Sequence, residues 1–172
     1  MKTTLDGLPL SLLATEEHKE DLHRSHPFLL VNTQDIDPSA SSYAITDSIS
    51  SAIFSPKITA DFCNSYTVAI PLEKRHRNIE NMILVGRDNK CDIVLQHSSV
   101  SRKHAAFILT HDGWYVIDMN SSNGTTIDGS KIEQGLPHRL KSQSVICFGT
   151  QFQVAFISET ELSLLISTLP LG

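Results

Sequence analysis

The chain is poor in several residue types that would each open a particular class of function. Its three cysteines, Cys63, Cys91 and Cys147, are far apart and form no Cys-x-x-Cys pattern. Neither a disulfide framework nor a zinc knuckle is indicated, and a reducing compartment is expected. Basic residues are outnumbered, with 14 Lys and Arg against 19 Asp and Glu for a formal charge of −5. A general nucleic-acid binder needs a net positive face, so that class is set aside. No apolar run approaches the roughly 20 residues that span a bilayer. The opening stretch, MKTTLDGLPLSLLATEEHKED, reaches Glu16 and Glu17 before an apolar segment of signal-peptide length develops. These absences lead us to expect a soluble, cytoplasmic protein with no membrane or nucleic-acid partner and no cofactor.

What is present is a chain of 172 residues with 40% apolar side chains, enough for one globular domain and an appended segment. Residues 5–24 are either a helix, with Leu5, Leu8 and Leu12 at helical spacing and Pro9 suited to a first turn, or a loosely ordered leader, since Gly7 interrupts the pattern. Phe28 to Val31, after Pro27, is an apolar run expected to form a strand that docks on the main body. Residues 32–55 are rich in Ser, Thr and Asp and are expected to be a linker. From Tyr66 onward β-type runs recur between turn signals: alternating Tyr66, Val68, Ile70 and Leu72, then MILVG, DIVL, AAFIL, WYVIDM, TTI, SVICFG and FQVAFI. Seven or eight such strands with almost no helical periodicity predict an all-β sandwich.

Two hairpins are expected, at His111-Asp112-Gly113 and at Gly149-Thr150, with Phe107, Leu109, Trp114 and Val116 supplying alternate side chains to the core. After Ile157 the period becomes helical: Ser158 and Glu161 fit a capping box, Leu162, Leu165, Ile166 and Leu169 form a stripe, and Pro170 ends it. The expected division is an N-terminal extension over 1–62, a β-sandwich over 63–158, and a short C-terminal helix over 159–172 packed on it.

Chemistry concentrates between Ile83 and Gly129, in three loops, GRDNKCD, SSVSRKH and NSSNGTTIDG. Arg87 follows Gly86, a residue that lets the backbone bend at a strand end. Ser101 and Arg102 add a hydroxyl and a second guanidinium, and Asn123 with Gly124 forms a turn whose amide both donates and accepts. Seven Lys and Arg against four Asp and Glu between Leu72 and His104 make this segment basic inside an acidic chain. Two guanidiniums, a hydroxyl and an amide suit a phosphate carried on a polypeptide better than they suit catalysis. Cys91, His97, His104 and His111 lack the close pairing of zinc ligands. Ser101, His104 and Asp118 lack the nucleophile elbow of a hydrolase triad. Neither a catalytic nor a metal site is therefore expected.

The motifs VGR, SVSRKHA, DMNSSNGTTIDG and VICFG, in this order, closely resemble the forkhead-associated (FHA) domain, a β-sandwich that binds phosphothreonine peptides through loops at one end. The resemblance covers roughly residues 66 to 157. It implies that Arg87, Ser101 and Arg102 bind the phosphate, that Ser122 lines the phosphothreonine site and that Asn123 bonds the ligand main chain. Gly86, His104 and Gly124 match positions that support the loops. Ser122 stands where threonine is frequent, keeping the hydroxyl without the methyl. Gly129 follows Asp128 where an Asn-Gly pair is common, and Lys141 to Ser144 replaces a usually acidic turn. The implied partner is a threonine-phosphorylated protein, a Ser/Thr kinase or its substrate among them, with the domain acting as a signalling adaptor. The competing reading is a phosphate-independent interaction or oligomerisation domain that uses the sheet face or the Leu162 to Leu169 stripe.

Overall fold

A computed structural model describes residues 26–32, 67–76 and 81–168, and the backbone of residues 8–9, 36–37 and 44–45. In chain order the strands are β1 (Leu8–Pro9), β2 (Phe28–Asn32), β3 (Ile36–Asp37), β4 (Ala44–Ile45), β5 (Thr67–Pro71), β6 (Ile83–Gly86) and β7 (Ile93–Val94). They continue with β8 (Ala105–Thr110), β9 (Gly113–Asp118), β10 (Thr125–Ile127), β11 (Ser130–Lys131), β12 (Pro137–Arg139), β13 (Val145–Phe148) and β14 (Phe152–Ile157), and one helix, α1 (Glu159–Thr168), follows. Several of these are two- or three-residue strands that periodicity is too short to announce, so the described strands outnumber the expected seven or eight.

Two sheets form the sandwich. One has the order β1-β5-β2-β14-β13-β10-β11, the other β12-β9-β8-β6-β7, and β3 pairs β4 in a separate two-stranded sheet. Their inner faces meet in a core that includes Leu29, Ile70, Val85, Phe107, Val116, Ile146, Phe148 and Phe156. Phe107 and Phe148 meet edge to face across it, with centroids 6.5 Å apart, an arrangement the ring quadrupoles favour.

The Phe28 to Val31 run is an interior strand rather than an addition to the edge: β2 is flanked by β5 and β14. That placement explains why four consecutive side chains are buried, since an interior strand covered on both faces has no polar side to expose. Leu8–Pro9 pairs with Val68 and Ala69 as a strand, which corrects the expected helix there. Pro9 has no amide proton and suits an edge strand. The remainder of the 5–24 helix candidate lies outside the described residues. Within the expected 32–55 linker, Asn32 ends β2, β3 and β4 pair with each other, and the other residues of that stretch lie outside the described set.

The first hairpin closes with Thr110 opposite Gly113. The second is a residue longer than expected, since Phe148 pairs with Phe152. Leu109 departs from its expected core position and is 62% exposed. It shares the inward face with Phe107 but sits next to the hairpin turn, opposite the partly buried Trp114. In α1, Leu162 and Ile166 are buried and Leu165 is half-buried, while Leu169 lies outside the described residues.

Candidate functional site

Strand β6 ends at Gly86, whose place is dictated by contact. A Cβ there would lie 2.3 Å from the Arg102 carbonyl oxygen, so only glycine lets the two segments touch. The approach allows two backbone bonds, Arg87 N–H to the Ser101 carbonyl and Asp88 N–H to the Arg102 carbonyl, each 3.0 Å. Residues 87–88 and 101–102, from two different loops, are thereby clamped side by side. Their side chains open into a cleft of about 540 Å³ lined by Arg87, Asp88, Ser101, Arg102, Lys103, Asn120 and Ser122. Among the described residues, Arg87, Arg102 and Lys103 have no carboxylate within ion-pair distance. Three cations thus face one cleft with a single carboxylate, Asp88, on its lining.

His104 ties the loops together from beneath. It is fully buried, its Nδ1 accepts the Ser101 N–H at 2.9 Å, and its Nε2 lies 3.1 Å from the Gly124 carbonyl. An amide must donate and a carbonyl must accept, so the proton sits on Nε2. Burial lowers the His104 pKa below its ordinary value, against the smaller opposing pulls of the Gly124 carbonyl and Asp118, and the ring stays neutral. The Ser101 hydroxyl accepts the Ser122 N–H at 3.0 Å and keeps its own proton to donate into the cleft.

The SSNG turn is built on Asp118, a fully buried carboxylate. It accepts the Ser121 N–H at 2.8 Å, the Ser121 hydroxyl at 2.7 Å and the Thr125 hydroxyl at 2.6 Å. A buried charge satisfied by three donors fixes the shape of the turn between them. Gly124 occupies the left-handed region at φ +80. Asn123 is exposed, and its Nδ2 donates to the Ser99 carbonyl at 3.1 Å. It does not line the cleft itself.

The structure therefore brings Arg87, Ser101, Arg102 and Ser122 to one cleft, sets Asn123 beside it, and places Gly86, His104 and Gly124 beneath. Lys103, Asn120 and Asp88 also line the cleft and were not singled out from the sequence. Lys103 had a signal, being one of the basic residues that make this segment positive. Asn120 had a weaker one: at φ +58 it takes a conformation that asparagine tolerates better than most residues.

Ser101, His104 and Asp118 do not form a relay, because His104 Nδ1 faces the Ser101 amide and Asp118 is spent on Ser121 and Thr125. Cys91 lies beneath the first loop, its Sγ 3.3 Å from the Arg102 carbonyl. Burial, with Asp88 nearby, pushes its thiol up to about 11, which leaves it protonated and unreactive at neutral pH.

A family model described as FHA domain matches residues 83–149. Over 94 residues the chain is 28% identical to the protein phosphatase 1 regulatory inhibitor subunit PPP1R8 homolog of Arabidopsis thaliana, covering 54% of this chain and 26% of that protein. Over 53 residues it is 36% identical to the FHA domain-containing protein FhaB of Mycobacterium tuberculosis, covering 31% of this chain and 34% of that one. The chain thus spans about a third or less of the length of these relatives. Among solved structures it is similar to the N-terminal FHA domain of S. cerevisiae Rad53p, determined in complex with a phosphothreonine peptide. There the identity is 27%, the coverage 54% of this chain and 78% of that chain, and the TM-score 0.43. The matched span runs from the strand that presents Arg87 to the glycine that follows β13, so the similarity to the FHA domain falls on the residues that build the cleft and its supports.

Proposed function

We propose that the cleft binds a phosphothreonine side chain on a protein partner and that the chain acts as a non-enzymatic reader of Ser/Thr kinase activity. The observation that carries this reading is the trio of cations, Arg87, Arg102 and Lys103, unpaired among the described residues, on a cleft that also holds the Ser101 hydroxyl. A phosphate monoester supplies what this cleft lacks, about 1.5 to 2 negative charges and three acceptor oxygens. Arg87 and Arg102 fork onto those oxygens, Ser101 donates to one of them, and Asn123 holds the peptide main chain at the rim. Each charge-assisted bond contributes about 1.5–3 kcal/mol, so phosphorylation switches the interaction on. Ser122, by its position on the lining, borders the threonine methyl. The partner is a threonine-phosphorylated protein, such as a kinase or its substrate.

Titration calorimetry with matched phosphothreonine and unphosphorylated peptides from a degenerate library tests the reading. Binding of phosphorylated members alone is the expected result. Equal binding of both forms would instead establish a phosphate-independent interaction domain.

A further inference from the structure

The turn after β13 lies outside the three loops of the site, yet it touches two of them. Gly149 sits at φ +74, and a Cβ there would lie 2.3 Å from the Ser99 carbonyl oxygen and 2.9 Å from the Ser99 Cβ. A left-handed backbone and a contact with no room for a side chain coincide at this residue. Ser99 is not free to retreat. It is buried, and its hydroxyl lies 2.6 Å from His97 Nδ1 and donates to the Phe148 carbonyl at 3.2 Å.

On its other side the Ser99 carbonyl accepts Asn123 Nδ2 at 3.1 Å. A carbonyl has no proton to give, so the NH2 end of the Asn123 amide must face it and Oδ1 must turn away. The Gly149 amide also donates to the Gly124 carbonyl at 2.9 Å, the acceptor that His104 Nε2 shares at 3.1 Å. Gly149 thus holds the Asn-Gly turn by one bond and orients its asparagine through Ser99.

We infer that Gly149 is a positioning residue for ligand recognition: it seats the Ser99 carbonyl so that the Asn123 amide is aimed with Oδ1 free to accept a main-chain N–H of the ligand. The inference rests on the phosphopeptide reading above and adds a direction to the tether, with the peptide donating and the protein accepting. It also separates two parts of the site. The phosphate clamp of Arg87, Ser101 and Arg102 is set by the contact at Gly86, and the main-chain tether by the contact at Gly149.

The test titrates the full chain with a phosphothreonine peptide and, separately, with inorganic phosphate, followed by nuclear magnetic resonance. Gly149→Ala is expected to weaken the peptide about fivefold or more, the worth of one hydrogen bond, and to change phosphate affinity by less than about twofold. Equal weakening of both ligands, or of neither, overturns the inference. If Gly149→Ala does not fold, the wild-type chain answers instead. The Asn123 side-chain amide protons are expected to exchange with water more slowly than those of the exposed Asn89, and equal rates would show that Ser99 does not hold them. N-methylation of the peptide should remove affinity at one position near the phosphothreonine, and tolerance at every position overturns the assigned bond direction. A wild-type chain that binds no phosphopeptide removes the functional reading itself, whereas the outcomes above remove only the positioning role.

Discussion

Arg87 and His104 lie within one bonded network but answer to different physics, and substitutions should separate them. The Arg87 side chain is exposed and, among the described residues, has no ion-pair partner, so Arg87→Ala removes a proposed ligand contact and almost no folding energy. Calorimetry should show phosphopeptide affinity falling about tenfold or more, while the melting temperature stays within about 2 °C. His104 is the reverse case. Its folded pKa is lowered by burial, so below the ordinary value of about 6.5 the unfolded chain binds a proton that the folded chain refuses. The stability it contributes is complete above that pH and is lost as pH falls towards the folded value. Melting curves from pH 8 to 5 should show this decline. His104→Ala should be less stable at pH 8, with the Ser101 amide left unanswered, and should show a shallower slope. At this scale the sequence was informative wherever a residue's role is local: Ser101 before Arg102, and the Asn-Gly turn. It was silent where the role is a contact between distant loops. That Gly149 abuts Ser99 depends on the 49 residues between them folding back, and no spacing encodes it.

Among the elements, helix α1 shows how a legible motif can be completed by something unforeseen. Ser158 and Glu161 were expected to cap each other, and half of that exchange exists, the Glu161 N–H donating to the Ser158 hydroxyl at 3.3 Å. The other half runs through Ser142, whose hydroxyl accepts the Ser158 N–H at 2.9 Å and donates to the Glu161 carboxylate. Ser142 belongs to the turn whose departure from the usual acidic pattern stood out in the sequence. In this chain that turn anchors the helix start to the sandwich, with the Gln143 N–H also bonded to the Phe156 carbonyl at 2.7 Å. Ser142→Ala should therefore lower stability by about 1 kcal/mol, the usual cost of a lost cap, and leave phosphopeptide affinity unchanged. Chemical denaturation and calorimetry on the same variant check both halves. Strand β2 gives the complementary lesson: its apolar run identified a strand, but only pairing with both β5 and β14 made it interior, and partner choice is not written in a strand's own residues.

For the molecule as a whole, the cleft is a local exception to an acidic charge of −5, and this shapes how binding should respond to pH. Acidification has two opposing effects. A protein that takes up protons becomes less negative and eases the approach of an anionic peptide, while the phosphate, with a second pKa near 6, loses one of its charges. Charges away from the cleft are screened beyond about 8–10 Å. In the proposed complex the phosphate charge that is lost lies in direct contact with the Arg87 and Arg102 side chains. The contact term should dominate, so phosphopeptide affinity is expected to fall several-fold between pH 7.5 and 5.5. The same experiment on Arg102→Ala should give a weaker complex with a shallower pH slope, because one partner of the titrating charge has been removed. An affinity that instead rises on acidification would place the phosphate away from the guanidiniums and assign the overall charge of the protein the larger part in recognition.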